Sequence, residues 1–141
     1  MLKLAFASDD RVRVNQHFGA AQSFVVYTVT PAGATVSGFG AFPEEAMDGN
    51  ENKLLAKVDF LAGCDAVFVH AIGASAIKQL LAKGVQPIRV TEVDAIDELI
   101  KDVSAAMVEG GVPWIDRALA AQSRAAGPDR FAAMEEEGWK G

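Results

Sequence analysis

The sequence predicts an α/β domain, a mixed five-stranded sheet flanked by helices. Three observations predict it. Strand-like runs fill the first 42 residues apart from one polar loop, helical and strand patterns then alternate up to residue 111, and glycine or proline signals separate most of the segments. Leu2, Leu4 and Phe6 alternate with Lys3, Ala5 and Ala7, the period of a strand with one strongly apolar face. After the loop, Phe24 to Thr30 is β-branched and aromatic, Pro31-Ala32-Gly33 signals a turn, and a third run extends from Ala34 to Phe42. An antiparallel hairpin follows, with Gly38 and Gly40 marking a bulge or an edge position in its second arm.

Asp48 followed by Glu51 has capping-box spacing, and Leu54, Leu55, Val58, Leu61 and Ala62 fall on one helical face, which predicts a helix over about residues 49–62 stopped by Gly63. The nearly continuous apolar run Asp65-Ala66-Val67-Phe68-Val69 suits a strand buried on both faces in a parallel part of the sheet. Gly73-Ala74-Ser75 opens a second helix whose Ile77, Leu80 and Leu81 face inward and which ends at Gly84. Val85 to Val90 is the last strand, with Pro87 favouring an edge. Ile96, Leu99, Ile100, Val103 and Met107 then describe a third helix closed by Gly110-Gly111. Right-handed crossovers would set the two later strands parallel to each other, with helices covering the sheet.

Residues 1–111 are therefore expected to form the α/β domain, and residues 112–141 a C-terminal helical extension or tail of the same domain. In that extension Trp114, Ile115, Ala118 and Leu119 suit a short amphipathic helix after Pro113, and Phe131 and Met134 could face either a partner or the core.

Composition narrows the function classes. A chain of 141 residues buries roughly two thirds of its unfolded surface, enough for a core without staples. The net charge is −6, with acids grouped at Glu135-Glu136-Glu137 and at Asp94, Asp97, Glu98 and Asp102, so nucleic acid is not an expected partner. No apolar run approaches the roughly 20 residues of a membrane helix and the N-terminus is unlike a signal peptide, so no membrane partner and a cytoplasmic location are expected. The single cysteine, Cys64, can neither close an internal disulfide nor supply the Cys₄ set of a permanently held iron-sulfur cluster.

The chemistry is expected in the loop from Asp9 to Gly19. It is long for a strand connection, gathers Arg11 and Arg13 beside Asn15, Gln16 and His17, and ends in Gly19, which can take positive φ or let a ligand approach the backbone. His17 can offer one imidazole nitrogen to a metal, or pack on Phe18 as an ordinary loop residue. Arg11 and Arg13 are either the counter-charges of a bound anion or partners of Asp9 and Asp10. Gly73, Ala74 and Ser75 stand where a parallel strand hands over to a helix, and the amides there favour anions. If the first and fourth strands run parallel, this turn, the His17 loop and His70 share one edge of the sheet, and Cys64 falls on the other. Met47 stands in a loop from which it could reach the cleft.

The chain resembles the NifX/NafY-type family, small proteins that bind the iron-molybdenum cofactor of nitrogenase or its precursor. Val14-Asn15-Gln16-His17-Phe18-Gly19-Ala20-Ala21 carries the resemblance, together with Gly63-Cys64-Asp65-Ala66-Val67, Ala71-Ile72-Gly73-Ala74-Ser75-Ala76 and the stretch from Leu80 to Pro87. The terminal Arg130 to Trp139 looks more like the NifX branch. The resemblance implies a ribonuclease H-like fold with cluster binding at His17; the residues read around it as the site are Asn15, Phe18, Gly19, Arg11, Arg13, Gly73, Ala74 and Ser75, and His70, by its place at the same edge, is a second-ligand or proton-donor candidate. The resemblance also implies a non-catalytic carrier that binds an iron-sulfur precursor or the iron-molybdenum cofactor transiently. Its expected partners are the cofactor-assembly scaffold, cluster-synthesising proteins and apo-dinitrogenase.

Two other readings compete with it. An interaction module without a cluster would use Phe131, Met134 and Trp139, whereas a magnesium-dependent nuclease would need Asp9 or Asp10 to converge with Glu44, Glu45 or Glu51.

Overall fold

The computed structural model of the chain describes residues 1–42 and 51–123, the side chains of 51–53 excepted. Its sheet is mixed and five-stranded, built from β1 (Leu2–Ala7), β2 (Ser23–Thr30), β3 (Gly33–Ala41), β4 (Ala66–Val69) and β5 (Gln86–Arg89) in the order β3-β2-β1-β4-β5. The β2–β3 hairpin and the β1–β2 pair are antiparallel, while β1–β4 and β4–β5 are parallel. The helices are α1 (Glu51–Leu61), α2 (Ala74–Ala82), α3 (Ile96–Glu109) and a fourth, α4, over residues 113–123.

β1 is the middle strand, and this alters the sequence expectation of one apolar face. Leu2, Leu4 and Phe6 enter one core with Val25, Phe68 and Ile96, while Ala5 and Ala7 enter the other with Phe24, Val58 and Leu80. Small alanines face α1 and α2 because those helices pack close, and every residue of the strand except the exposed Lys3 is fully buried. Each large side chain so buried contributes about 1.5–3 kcal/mol of transfer free energy, so Phe6, Phe18 and Phe24 are principal anchors.

Both edges agree with their sequence signals. β3 lies at one side, where Val26 pairs with Gly38 but Tyr27 with Val36, so Ser37 is the extra residue of a bulge. A Cβ on Gly40 would stand 2.7 Å from the ring of Phe60, which explains a glycine in that strand. β5 forms the other edge and contains Pro87.

The helix faces need two corrections. Leu55 is 47% and Leu81 52% exposed, whereas Lys57 and Ala76 point inward. In α1 the inward stripe is Leu54, Lys57, Val58 and Leu61, at i, i+3, i+4 and i+7, and a leucine adjacent in sequence to Leu54 is rotated off it by about 100°. The Asp48–Glu51 capping pair and Met47 lie outside the described residues.

Gly63, Gly84, Gly110 and Gly111 all have positive φ, as expected of residues that end helices. α4 extends the second core, with Ile115 buried and Trp114 edge-on to Phe68 at 6.4 Å. Among the described residues, no helix is long and apolar enough to cross a membrane.

Candidate functional site

β1 and β4 run parallel, so the loop after β1 and the turn after β4 emerge at one end of the sheet. Each half of the loop is held differently. In the first half, the Asp10 carboxylate accepts from the amides of Val12 at 2.8 Å and Arg13 at 3.0 Å and from the Ser8 hydroxyl at 3.0 Å. The Arg13 and Val12 amides, in that order, hold the Asp10 carboxyl below the usual aspartate value. The turn is therefore capped above that value and loosens only when the pH falls below it. Arg11 takes a left-handed φ of 64°, uncommon without glycine, and its guanidinium lies 4.2 Å over the ring of Phe39.

Arg13 bridges Ala95 through its backbone, and its Nη1 lies 3.1 Å from Asp94 Oδ1. The Val14 amide donates to Asp94 O, the Ile96 amide donates to Val12 O, and the Val14 side chain is fully buried beside α3. The loop is thus stitched to the segment that precedes α3.

The second half is stitched to the end of β4. The His70 amide donates to Gln16 O at 2.9 Å, the Phe18 amide donates to Ala71 O at 2.7 Å, and His17 pairs with Ala71 as a parallel bridge. Phe18 is completely buried and packs against Phe24, so its ring is a core anchor and not an exposed ligand contact. Asn15 is also engaged, its Nδ2 donating to Asp9 Oδ1 while its Oδ1 accepts from the Asp9 amide. Gly19 is exposed, is not among the glycines with positive φ, and has nothing within 4 Å of a built Cβ; the left-handed residue of this loop is Arg11 instead.

The result of this stitching is a pair of imidazoles. The rings of His17 and His70 stack at 5.3 Å between centroids and 4° between planes, and both residues are exposed. The exposed Gly73, Ala74 and Ser75 follow at the start of α2, where Gly73 is the cap residue without a side-chain cap bond. First-turn amides at such a helix start have no intrahelical acceptor. Cys64 stands at the opposite end of β4, buried, and desolvation pushes its thiol up to about 11. It is a neutral thiol at neutral pH and not a ready metal ligand.

Lys57 is the functional residue that sequence reasoning missed. It is 5% exposed, and its Nζ donates to Gly19 O at 2.8 Å and Phe18 O at 3.2 Å, so the ammonium clamps the turn directly after His17. The available signal was its place on the apolar stripe of α1, three residues after Leu54 and four before Leu61. Lys57→Ala should cost about 1.5–3 kcal/mol, the range for hydrogen bonds that involve a charged group. Denaturant unfolding would read the loss, and hydrogen exchange should quicken at Ala20 and Ala21, whose amides donate within this turn. Unchanged exchange there would remove Lys57 from the site.

Two grooves of about 510 and 660 Å³ share Asp65 and Gln122, at the end of the sheet where β4 begins. Neither contains His17 or His70. The histidine end of the sheet is the candidate site, because the grooves gather no set of metal-binding side chains. Among the described residues, no group of three or more His, Cys, Asp or Glu could enclose a bare metal ion. The histidine end of the sheet offers exposed nitrogen donors on a fixed backbone, which suits cargo that brings its own bridging ligands.

Residues 1–106 match the family described as "Dinitrogenase iron-molybdenum cofactor". Protein NifX of Azotobacter vinelandii is 48% identical over 141 residues, covering 99% of this chain and 87% of that protein. Protein NifX of Klebsiella pneumoniae is 32% identical over 142 residues, covering 99% and 85% respectively. The crystal structure of PH0822 matches with a TM-score of 0.57 at 22% identity, over 74% of this chain and 90% of that one, a likeness of fold alone.

Proposed function

Because the chain belongs to the dinitrogenase iron-molybdenum cofactor family, we propose that it binds an iron-sulfur precursor of that cofactor, or the cofactor itself, through His17 and carries it during nitrogenase cofactor assembly. The role is carriage, not catalysis. The observation that carries the reading is His17 itself, an exposed imidazole held by a backbone bridge to Ala71 and a lysine clamp one residue further on. Among the described residues, no group hydrogen-bonds to its ring. A single-residue anchor suits cargo that must be released, since four thiolates would hold it permanently.

The remaining residues support that anchor in different ways. Asn15 and Phe18 fix the loop, the Gly19 carbonyl receives Lys57, and the amides after Gly73 offer partial positive charge to an anionic cargo. The Arg13–Asp94 pair is 60% and 38% exposed, and such a pair is worth at most about 1 kcal/mol, so Arg13 can exchange its partner for the cargo. Among the described residues Arg11 has no carboxylate partner to leave, and it needs only to swing off Phe39. The partners of this reading are the assembly scaffold, cluster-synthesising proteins and apo-dinitrogenase, and its place is the cytoplasm. We also assign the fold to the ribonuclease H-like class, on the support of a central β1 with an antiparallel hairpin on one side and parallel strands on the other.

Neither competing reading gains an observation. Asp9 and Asp10 are committed to loop hydrogen bonds, and Glu44, Glu45 and the side chain of Glu51 lie outside the described residues, as do Phe131, Met134 and Trp139. The test is anaerobic titration of the purified chain with isolated iron-molybdenum cofactor, followed by absorption and bound iron. Stoichiometric uptake is expected, and a folded chain that takes up none would refute the carrier reading.

A further inference from the structure

We infer that His17 and His70 grip one polynuclear cluster at two different metal atoms. The inference rests on the carrier reading above and adds a second ligand and a mode of binding to it.

The backbone brings the two histidines side by side. The His70 amide donates to Gln16 O and the Phe18 amide donates to Ala71 O, so the two chains advance side by side through the histidines as a short parallel ladder. Their ring centroids lie 5.3 Å apart and the ring planes are only 4° from parallel. Among the described residues, nothing hydrogen-bonds to either ring, and both residues are exposed, so all the ring nitrogens remain open to a ligand.

The ligand set discriminates between kinds of metal. An imidazole lone pair lies in the plane of its ring, so a bound metal must sit in that plane, and two neighbouring metal atoms of one cluster can each take one ring. A bare ion would need further protein ligands, and no group of three or more candidate ligands exists among the described residues. A cluster supplies its own sulfides and needs none. The pair therefore selects a polynuclear iron-sulfur cargo over a lone Zn²⁺.

The experiment titrates isolated iron-molybdenum cofactor into the native chain, His17→Ala and His70→Gln under anaerobic conditions, and reads both bound iron and the imidazole nitrogen couplings by pulsed electron paramagnetic resonance. A parallel titration uses Zn²⁺ alone. Two inequivalent nitrogen couplings are expected in the native complex and one in His70→Gln. His70→Gln should also lose at least the tenfold in affinity that even an outer-shell partner of a metal site typically contributes. Thermal unfolding of His70→Gln should match the native chain, since no hydrogen bond of its ring is removed.

Native affinity and an unchanged nitrogen signal in His70→Gln, with uptake lost in His17→Ala, would overturn the two-point grip and leave the carrier reading standing. Tight Zn²⁺ binding that needs both histidines would overturn it in favour of a single-ion site. Failure of the native chain to take up cofactor would bring down both.

Discussion

His17→Ala is expected to abolish stoichiometric uptake of the iron-molybdenum cofactor while leaving the fold intact. The residue is exposed and its ring makes no hydrogen bond among the described residues, so its truncation should change stability by no more than about 0.5 kcal/mol. Its backbone bridge to Ala71 survives the substitution. On the proposed reading a direct metal ligand is lost, and an affinity loss of about a hundredfold or more is expected, given that outer-shell partners alone account for tenfold to a hundredfold. Bound iron after desalting, measured beside the thermal midpoint, separates the two effects. Native uptake by a folded His17→Ala chain would end the role assigned to this histidine.

Phe18→Ala is expected to show the reverse pattern. Phe18 is completely buried, its ring packs 5.7 Å from that of Phe24, and its amide holds the loop to Ala71. Truncating a buried phenylalanine costs about 3–5 kcal/mol from lost transfer energy and the cavity left behind, a large share of a domain's total stability. Urea unfolding should show that loss, and the molecules that remain folded should still bind cofactor, more weakly because the His17 ring is less well placed. Intact stability with uptake abolished would instead make the ring a contact of the cargo.

These opposite expectations for adjacent residues show where the sequence was legible. His-Phe-Gly looks like one motif, yet one residue is exposed, the next side chain faces the core, and the third residue accepts a hydrogen bond through its carbonyl. Strands and helices were readable because their signals are local. The period of two in β1, the turn at Pro31-Ala32-Gly33 and the glycines that end the helices each act within a few residues. The hairpin and the two later parallel strands followed from those elements and the chirality of crossovers, whereas the shared end of β1 and β4 rested on a condition, that they run parallel, which the structure meets. The faces of α1 were less legible, because Leu55 and Lys57 exchange the places that hydrophobicity alone would give them.

The sequence by itself determined the elements, their order and the residue types available at one end of the sheet. Only the tertiary structure decided which of those residues are engaged with the protein and which remain open. Arg13 finds Asp94 at 81 positions' remove, and Lys57 reaches Phe18 across 39. Such partners depend on which strands become neighbours and in what register, and no short-range pattern encodes that choice. The stacking of His17 on His70 has the same origin. Each histidine is an ordinary residue in its own segment, and the pair exists because the parallel alignment of β1 with β4 carries both chains to one place.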